Sequence, residues 1–206
     1  MGVVILGGSS GTGADVDAKR NILTRRGAAD YGAAGGAYSV AGGPTGIVAA
    51  ALAAGTTLAA LRHGTGATTK VYITRLHITI SIATIGVTAG VPGQITWQRF
   101  TTATPTGGTA RTAARKDAST GSGTQIIGCQ DLASALTVTS VAFTDVFVAE
   151  AIPNSTVGAS YEYVTDLDED EFIVLAAGDG ICLRTSVAAP ATQTWTFNYT
   201  IHWLEK

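Results

Sequence analysis

Between Thr194 and Trp203 apolar and polar residues alternate without a break. Trp195, Phe197, Tyr199, Ile201 and Trp203 occupy one set of positions, and Thr194, Thr196, Asn198, Thr200 and His202 the other. Period two is the repeat of a β-strand, whose successive side chains point to opposite faces. The aromatic set is read as a buried face and the polar set as an outer one. A sugar-stacking platform is the alternative for those aromatics, and the Ile within the set argues for burial.

Other segments repeat the pattern. Leu76, Ile78, Ile80 and Ile82 alternate with His77, Thr79, Ser81 and Ala83. Gln94 to Thr104 gives a second strand around Ile95, Trp97 and Phe100. Leu136 to Val148 alternates again. Glu171 to Ala176 and Ile181 to Val187 flank Gly178-Asp179-Gly180, and Asp-Gly between two apolar runs predicts a hairpin. Pro105 to Gly123 is read as a polar loop carrying Arg111, Arg115 and Lys116. Val48 to Leu61 is the one candidate helix. Several short strands separated by Gly-rich turns predict an all-β fold, an antiparallel β-sandwich or barrel.

Residues 1–45 differ in composition, being dominated by Gly, Ala and Ser around a charged patch from Asp15 to Arg26. Residues 27–36 follow neither helical nor strand period. They are expected to form an extended N-terminal arm that lies against a neighbour, with residues 46–206 as the sandwich domain.

Composition narrows the function classes. Charged residues make up 14% of the 206, against about 25% in an ordinary soluble domain. Thr supplies 31 positions, which favours strands over a helical bundle. The formal charge of −2 is not the basic stripe of a nucleic-acid binder. The longest apolar run, Gly46 to Leu61, is shorter than the ~20 residues of a spanning helix. No basic leader precedes the first apolar residues. A chain made in the cytoplasm, with no membrane and no nucleic-acid partner, is expected. Cys129 and Cys182, far apart and outside any Cys-x-x-Cys, are expected to be buried thiols.

The candidate motifs are weak. Val3 to Gly13 resembles the glycine-rich nucleotide loop of short-chain dehydrogenases, yet no amphipathic helix pattern follows it and no Tyr has a Lys four residues on. Asp166, Asp168, Glu169, Asp170 and Glu171 form an acidic cluster whose carboxylates suit Ca²⁺, but the EF-hand spacing is missing. The expected reading is a solvated loop. His63, His77 and His202 are scattered singly and are read as satisfied surface or interface histidines rather than metal ligands. No catalytic, cofactor-binding or metal-binding residue is assigned, and no cofactor is expected.

Resemblance adds a class. The segments Asp15-Val16-Asp17-Ala18, Gly36-Ala37-Tyr38-Ser39, Thr45-Gly46 and Ala49 to Ala54, then Leu61-Arg62, resemble virion structural proteins of tailed bacteriophages. So do Ala103 to Lys116, Ile173 to Arg184 and Trp195 through Trp203 to Glu205. The resemblance implies a jelly-roll-like sandwich, no enzymatic activity, and a homo-oligomer, a trimer above all. It further implies a place on the virion as a capsid decoration or cement protein or a head-fibre subunit, with the major capsid protein as partner. A tail-associated or receptor-binding module for host glycans, reading them through Trp97 or Trp195, is the alternative.

Overall fold

A computed structural model describes residues 15–16, 22–23, 35–43, 52–84, 93–101, 103–116, 123–138, 143–152, 159–164, 172–188 and 194–206. These contain fourteen strands and no helix. Two dipeptides, β1 (Asp15–Val16) and β2 (Ile22–Leu23), pair with each other. The rest build two six-stranded antiparallel sheets that bury one core between them.

One sheet has the order β10-β6-β13-β4-β9-β7, formed by Phe143–Ile152, Gly93–Thr101, Asp179–Thr185, Thr57–His63, Ile126–Val138 and Pro105–Ala110. The other has the order β11-β5-β14-β3-β8, formed by Ala159–Val164, Val71–Thr84, Thr194–Glu205, Gly36–Gly42 and Ala114–Arg115, with β12 (Ile173–Leu175) also pairing β5. Eight of these strands trace a jelly roll. β3 pairs β14, β4 pairs β13, β5 pairs β11 and β6 pairs β10, all antiparallel. These four nested pairs form one long ribbon. Folded over, it brings β14 against β5 and β13 against β6, which closes both sheets. Strands β7, β8 and β9 are an insertion that widens the sandwich on the β4 and β3 side.

The alternation that dominates the sequence places the core. Trp195, Phe197, Tyr199, Ile201 and Trp203 are all at most 1% exposed. Each such aromatic removes roughly 150–250 Å² from water, about 4–6 kcal/mol gross. On β5, Leu76, Ile78 and Ile80 are buried, while His77 and Thr79 are half-buried on the outer face. Tyr38 stacks on Trp203 with centroids 5.8 Å apart.

Three local expectations are corrected. The candidate helix between Val48 and Leu61 yields instead strand β4, preceded by a turn in which Thr56 N donates to Ala53 O. Every residue of β4 is buried. A strand covered on both faces shows a continuous apolar run with no period of two, and this one is Ala-rich besides. The Asp-Gly turn is real, with Gly178 at φ 87° and Asp179 N donating to Ala176 O, but it makes no hairpin. β12 pairs β5 and β13 pairs β4 and β6, so the turn is a corner that carries the chain from one sheet to the other. The loop expected from Pro105 to Gly123 begins with β7. That edge strand exposes five of its six residues and is kinked at Gly107 and Gly108, both at positive φ.

Residues 36–42, counted with the arm by composition, are β3 in the second sheet, with Tyr38 and Val40 in the core. Apart from β1, β2 and residue 35, the residues before them lie outside the described ones, as does the acidic cluster from Asp166 to Glu171.

Candidate functional site

The densest polar cluster joins the inserted strands to the core. Asp131, on β9, is fully buried. Its Oδ2 accepts from Arg111 Nε at 2.7 Å and from Gly43 N at 3.0 Å. Arg111 Nη2 donates onward to Gly43 O at 2.8 Å. One ion pair thus ties the link between β7 and β8 to β9 and to the end of β3. Hydrogen bonding to Asp131 raises the Arg111 pKa further. Arg111, read from sequence as part of a solvated basic loop, is therefore a cross-sheet pin. The sequence signal was available in retrospect: an Asp inside an apolar strand needs a cation.

The other two basic residues of this segment clasp β3 and β14. Arg115 lies over the Tyr38 ring, 5.7 Å from its centroid. Lys116 N donates to Ala37 O at 2.8 Å, and Lys116 Nζ lies 2.6 Å from His202 Nδ1. Because an ammonium only donates, His202 must offer a bare nitrogen, so the ring is neutral. Burial lowers the pKa of His202, and the charges of Lys116 and Arg75 lower it further. Glu205 is fully buried at the end of β14. It accepts from Trp203 Nε1 and Gln125 N, each at 3.0 Å, and from Thr124 Oγ1.

The remaining histidines are hydrogen-bonded, but His63 is fully buried rather than at a surface. His77 Nε2 lies 2.8 Å from Ser160 Oγ, and buried His63 Nδ1 lies 3.2 Å from Ala176 O. Among the described residues no group of three metal-ligating side chains converges. Cys129 and Cys182 are buried and unbridged. Burial pushes both thiols up to about 12, which makes them poor nucleophiles. Trp97 and Trp195, the aromatics named for glycan stacking, are 3% and 1% exposed.

The glycine-rich run from Val3 to Gly13 lies outside the described residues. It also holds a Gly-x-Ser-x-Gly spacing at Gly7–Gly11. A nucleophile elbow needs a strand-to-helix turn at that spacing.

What remains on the surface lies at the two flanks of the sandwich. At one flank the edge strands β10 and β11 face each other over a seam lined by Trp97, Val148, Tyr161 and Tyr163, with Glu150 and Glu162 beside them. At the other, beyond β9, a cleft of about 300 Å³ is lined by Arg111, Thr112, Ala113, Ile127 and Gln130. A second cleft, of about 340 Å³ between Gly64–Ala67 and Gln125, shares Ile127. The large hydrophobic side chains exposed among the described residues are Val146 and Val164, on β10 and β11, and Ile127. They divide between these two flanks. Comparison with protein-family models, with curated proteins and with solved structures found no match to this chain.

Proposed function

We propose that this chain is a virion structural protein of a tailed bacteriophage, a homo-oligomeric subunit that decorates or cements the capsid or builds part of a head fibre. A trimer bound to the major capsid protein is the assembly this reading favours. The observation that carries it is the jelly-roll path of the eight nested strands, an architecture common in virus shells. A fold alone does not fix a function; the sequence resemblance and the charge-poor, Thr-faced surface supply the rest. The mechanism is surface burial. A permanent interface of this kind covers roughly 2,000 Å² or more, and an arm of extended chain reaches about 3.3 Å per residue.

Burial of Trp97 and Trp195 favours this reading over a glycan-recognition module. The test is immunogold labelling of purified particles with an antibody raised against the protein, together with incorporation of a variant lacking residues 1–34. The cut stops before β3, since removing residues 36–42 would strip a core strand. Labelling of the particle and reduced incorporation of the shortened chain are expected. Particles that carry no label overturn the reading.

A further inference from the structure

Four neighbouring strands of the second sheet set one row of residues side by side. Arg75 on β5 is registered with His202 on β14, His202 with Ser39 on β3, and Ser39 with Ala114 on β8. Trp203 and Tyr38, the next residues along β14 and β3, point into the core, so His202 and Ser39 face outward. Arg75, His202 and Ser39 are half-buried there. Lys116 reaches over the row from beyond β8. Its backbone N is tied to Ala37 O at 2.8 Å, and its Nζ lies 2.6 Å from His202 Nδ1.

These groups offer donors and hardly an acceptor. With Nδ1 facing an ammonium, the neutral His202 ring carries its proton on Nε2, and that N–H meets no acceptor among the described residues. Lys116 Nζ has two further N–H bonds to give. Arg75 Nε is paired with Glu162, which leaves the two terminal nitrogens of its guanidinium. Among the described residues Glu162 is the one carboxylate acting on this row. The Arg75 and Glu162 side chains are 44% and 40% exposed, so water weakens their pairing. Two fixed positive charges therefore share one screened negative charge. Both titrating neighbours register the imbalance. Burial lowers the pKa of Lys116 and the charge of Arg75 lowers it further. His202 is lowered by burial, then by Lys116 and Arg75, against the opposing pull of Glu162. Like charges held together without a matching anion are relieved when an anion joins them.

We propose that this row is an oxyanion site, at which Arg75 and Lys116 hold one phosphate or carboxylate group beside the His202 ring. The Arg75 fork matches two oxygens of either group. Lys116 supplies a point charge, and the ring supplies a donor. Protonation of His202 turns Nδ1 into a donor as well and forces Lys116 to release it. An anion that accepts from both groups favours that state. Binding therefore tightens as the pH falls through the His202 titration, and by the same linkage the bound anion raises the His202 pKa. The site stands apart from the virion reading, and the particle-labelling result does not bear on it.

Imidazole NMR of the full chain tests this. His202 is titrated with acid in chloride and in sulfate at equal ionic strength, sulfate standing in for phosphate because its charge stays constant over the range. Sulfate is expected to move the His202 titration upward in a saturable way and to leave the signals of buried His63 in place. Lys116→Gln and Arg75→Gln, both surface changes, should each raise the half-saturating sulfate concentration at least about tenfold, the loss of one hydrogen bond to a charged group, with unchanged far-ultraviolet circular dichroism. Competition then separates the two sources of the anion. Displacement of sulfate by a glutamate-rich peptide assigns the site to a carboxylate, and displacement by inorganic phosphate but not by the peptide assigns it to a phosphate group. Identical His202 curves in chloride and sulfate overturn the site, because screening alone then accounts for the response. So does a sulfate response that survives when Arg75→Gln and Lys116→Gln are combined.

Discussion

Arg111 Nε and the buried Asp131 Oδ2 stand 2.7 Å apart, and Asp131 Oδ2 also takes the Gly43 N–H. The pair therefore joins three separate stretches of chain at one point. Deleting one member of a buried pair leaves the other charge unanswered, which costs about 3–5 kcal/mol. Asp131 is fully enclosed, whereas the Arg111 side chain is 27% exposed. Arg111→Ala is therefore expected to destabilise by the larger amount, near that range. Asp131→Ala, which lets the guanidinium turn to water, should cost about 1–2 kcal/mol less. Urea denaturation of the two variants decides the order, and equal losses would remove the asymmetry argument.

His202 makes stability depend on pH. Its folded pKa is lowered, chiefly by burial and then by Lys116 and Arg75, against an opposing pull from Glu162. The unfolded chain thus binds the proton more readily, at about pH 6.5. Stability is full above that value and falls as pH drops through the window below it. His202→Gln should flatten this part of the profile, with thermal melts between pH 5 and 8 as the measurement. A variant that keeps the wild-type slope would assign the proton elsewhere.

How much of this was legible beforehand depends on periodicity. β14 and β5 were readable because each has one wet and one dry face, so polarity alternates. β4 was not, since burial on both sides erases the alternation. The corner at Gly178 was misread because Asp-Gly chemistry sets a local turn and says nothing about which strands the flanking runs pair with. β3 was hidden by small residues: Gly36, Ala37, Ala41 and Gly42 carry little pattern, and Tyr38 and Val40 alone mark the face that packs on β14. The Arg111–Asp131 pin spans 20 residues and needed the register of β7 on β9 before it could be found. Its one sequence trace is an Asp amid apolar neighbours.

The two thiols should be silent in the native protein. Cys129 and Cys182 are 6% and 0% exposed, with burial holding both thiols up to about 12. At pH 8 almost no thiolate is present. Ellman titration should count close to none in buffer and two in denaturant. Rapid reaction of one thiol in buffer would mean that its cover opens locally.

Gly180 is held by close approach. A Cβ built there would clash with Phe100 Cζ, because the ring lies flat against the opposite residue of the paired strand, and Gly180 is registered directly with Phe100. Phe100 is fully buried and has no room to retreat. Overpacking of this kind costs about 1–3 kcal/mol and sometimes more. Gly180→Ala should therefore lower the urea midpoint by that amount with its slope unchanged. Phe100→Leu should be destabilising alone, through the cavity it leaves. Combined, the two changes should cost less than their sum, because the added methyl enters the space the ring vacates. A strictly additive double variant would show that the strain lies in the β13 backbone rather than in the ring contact.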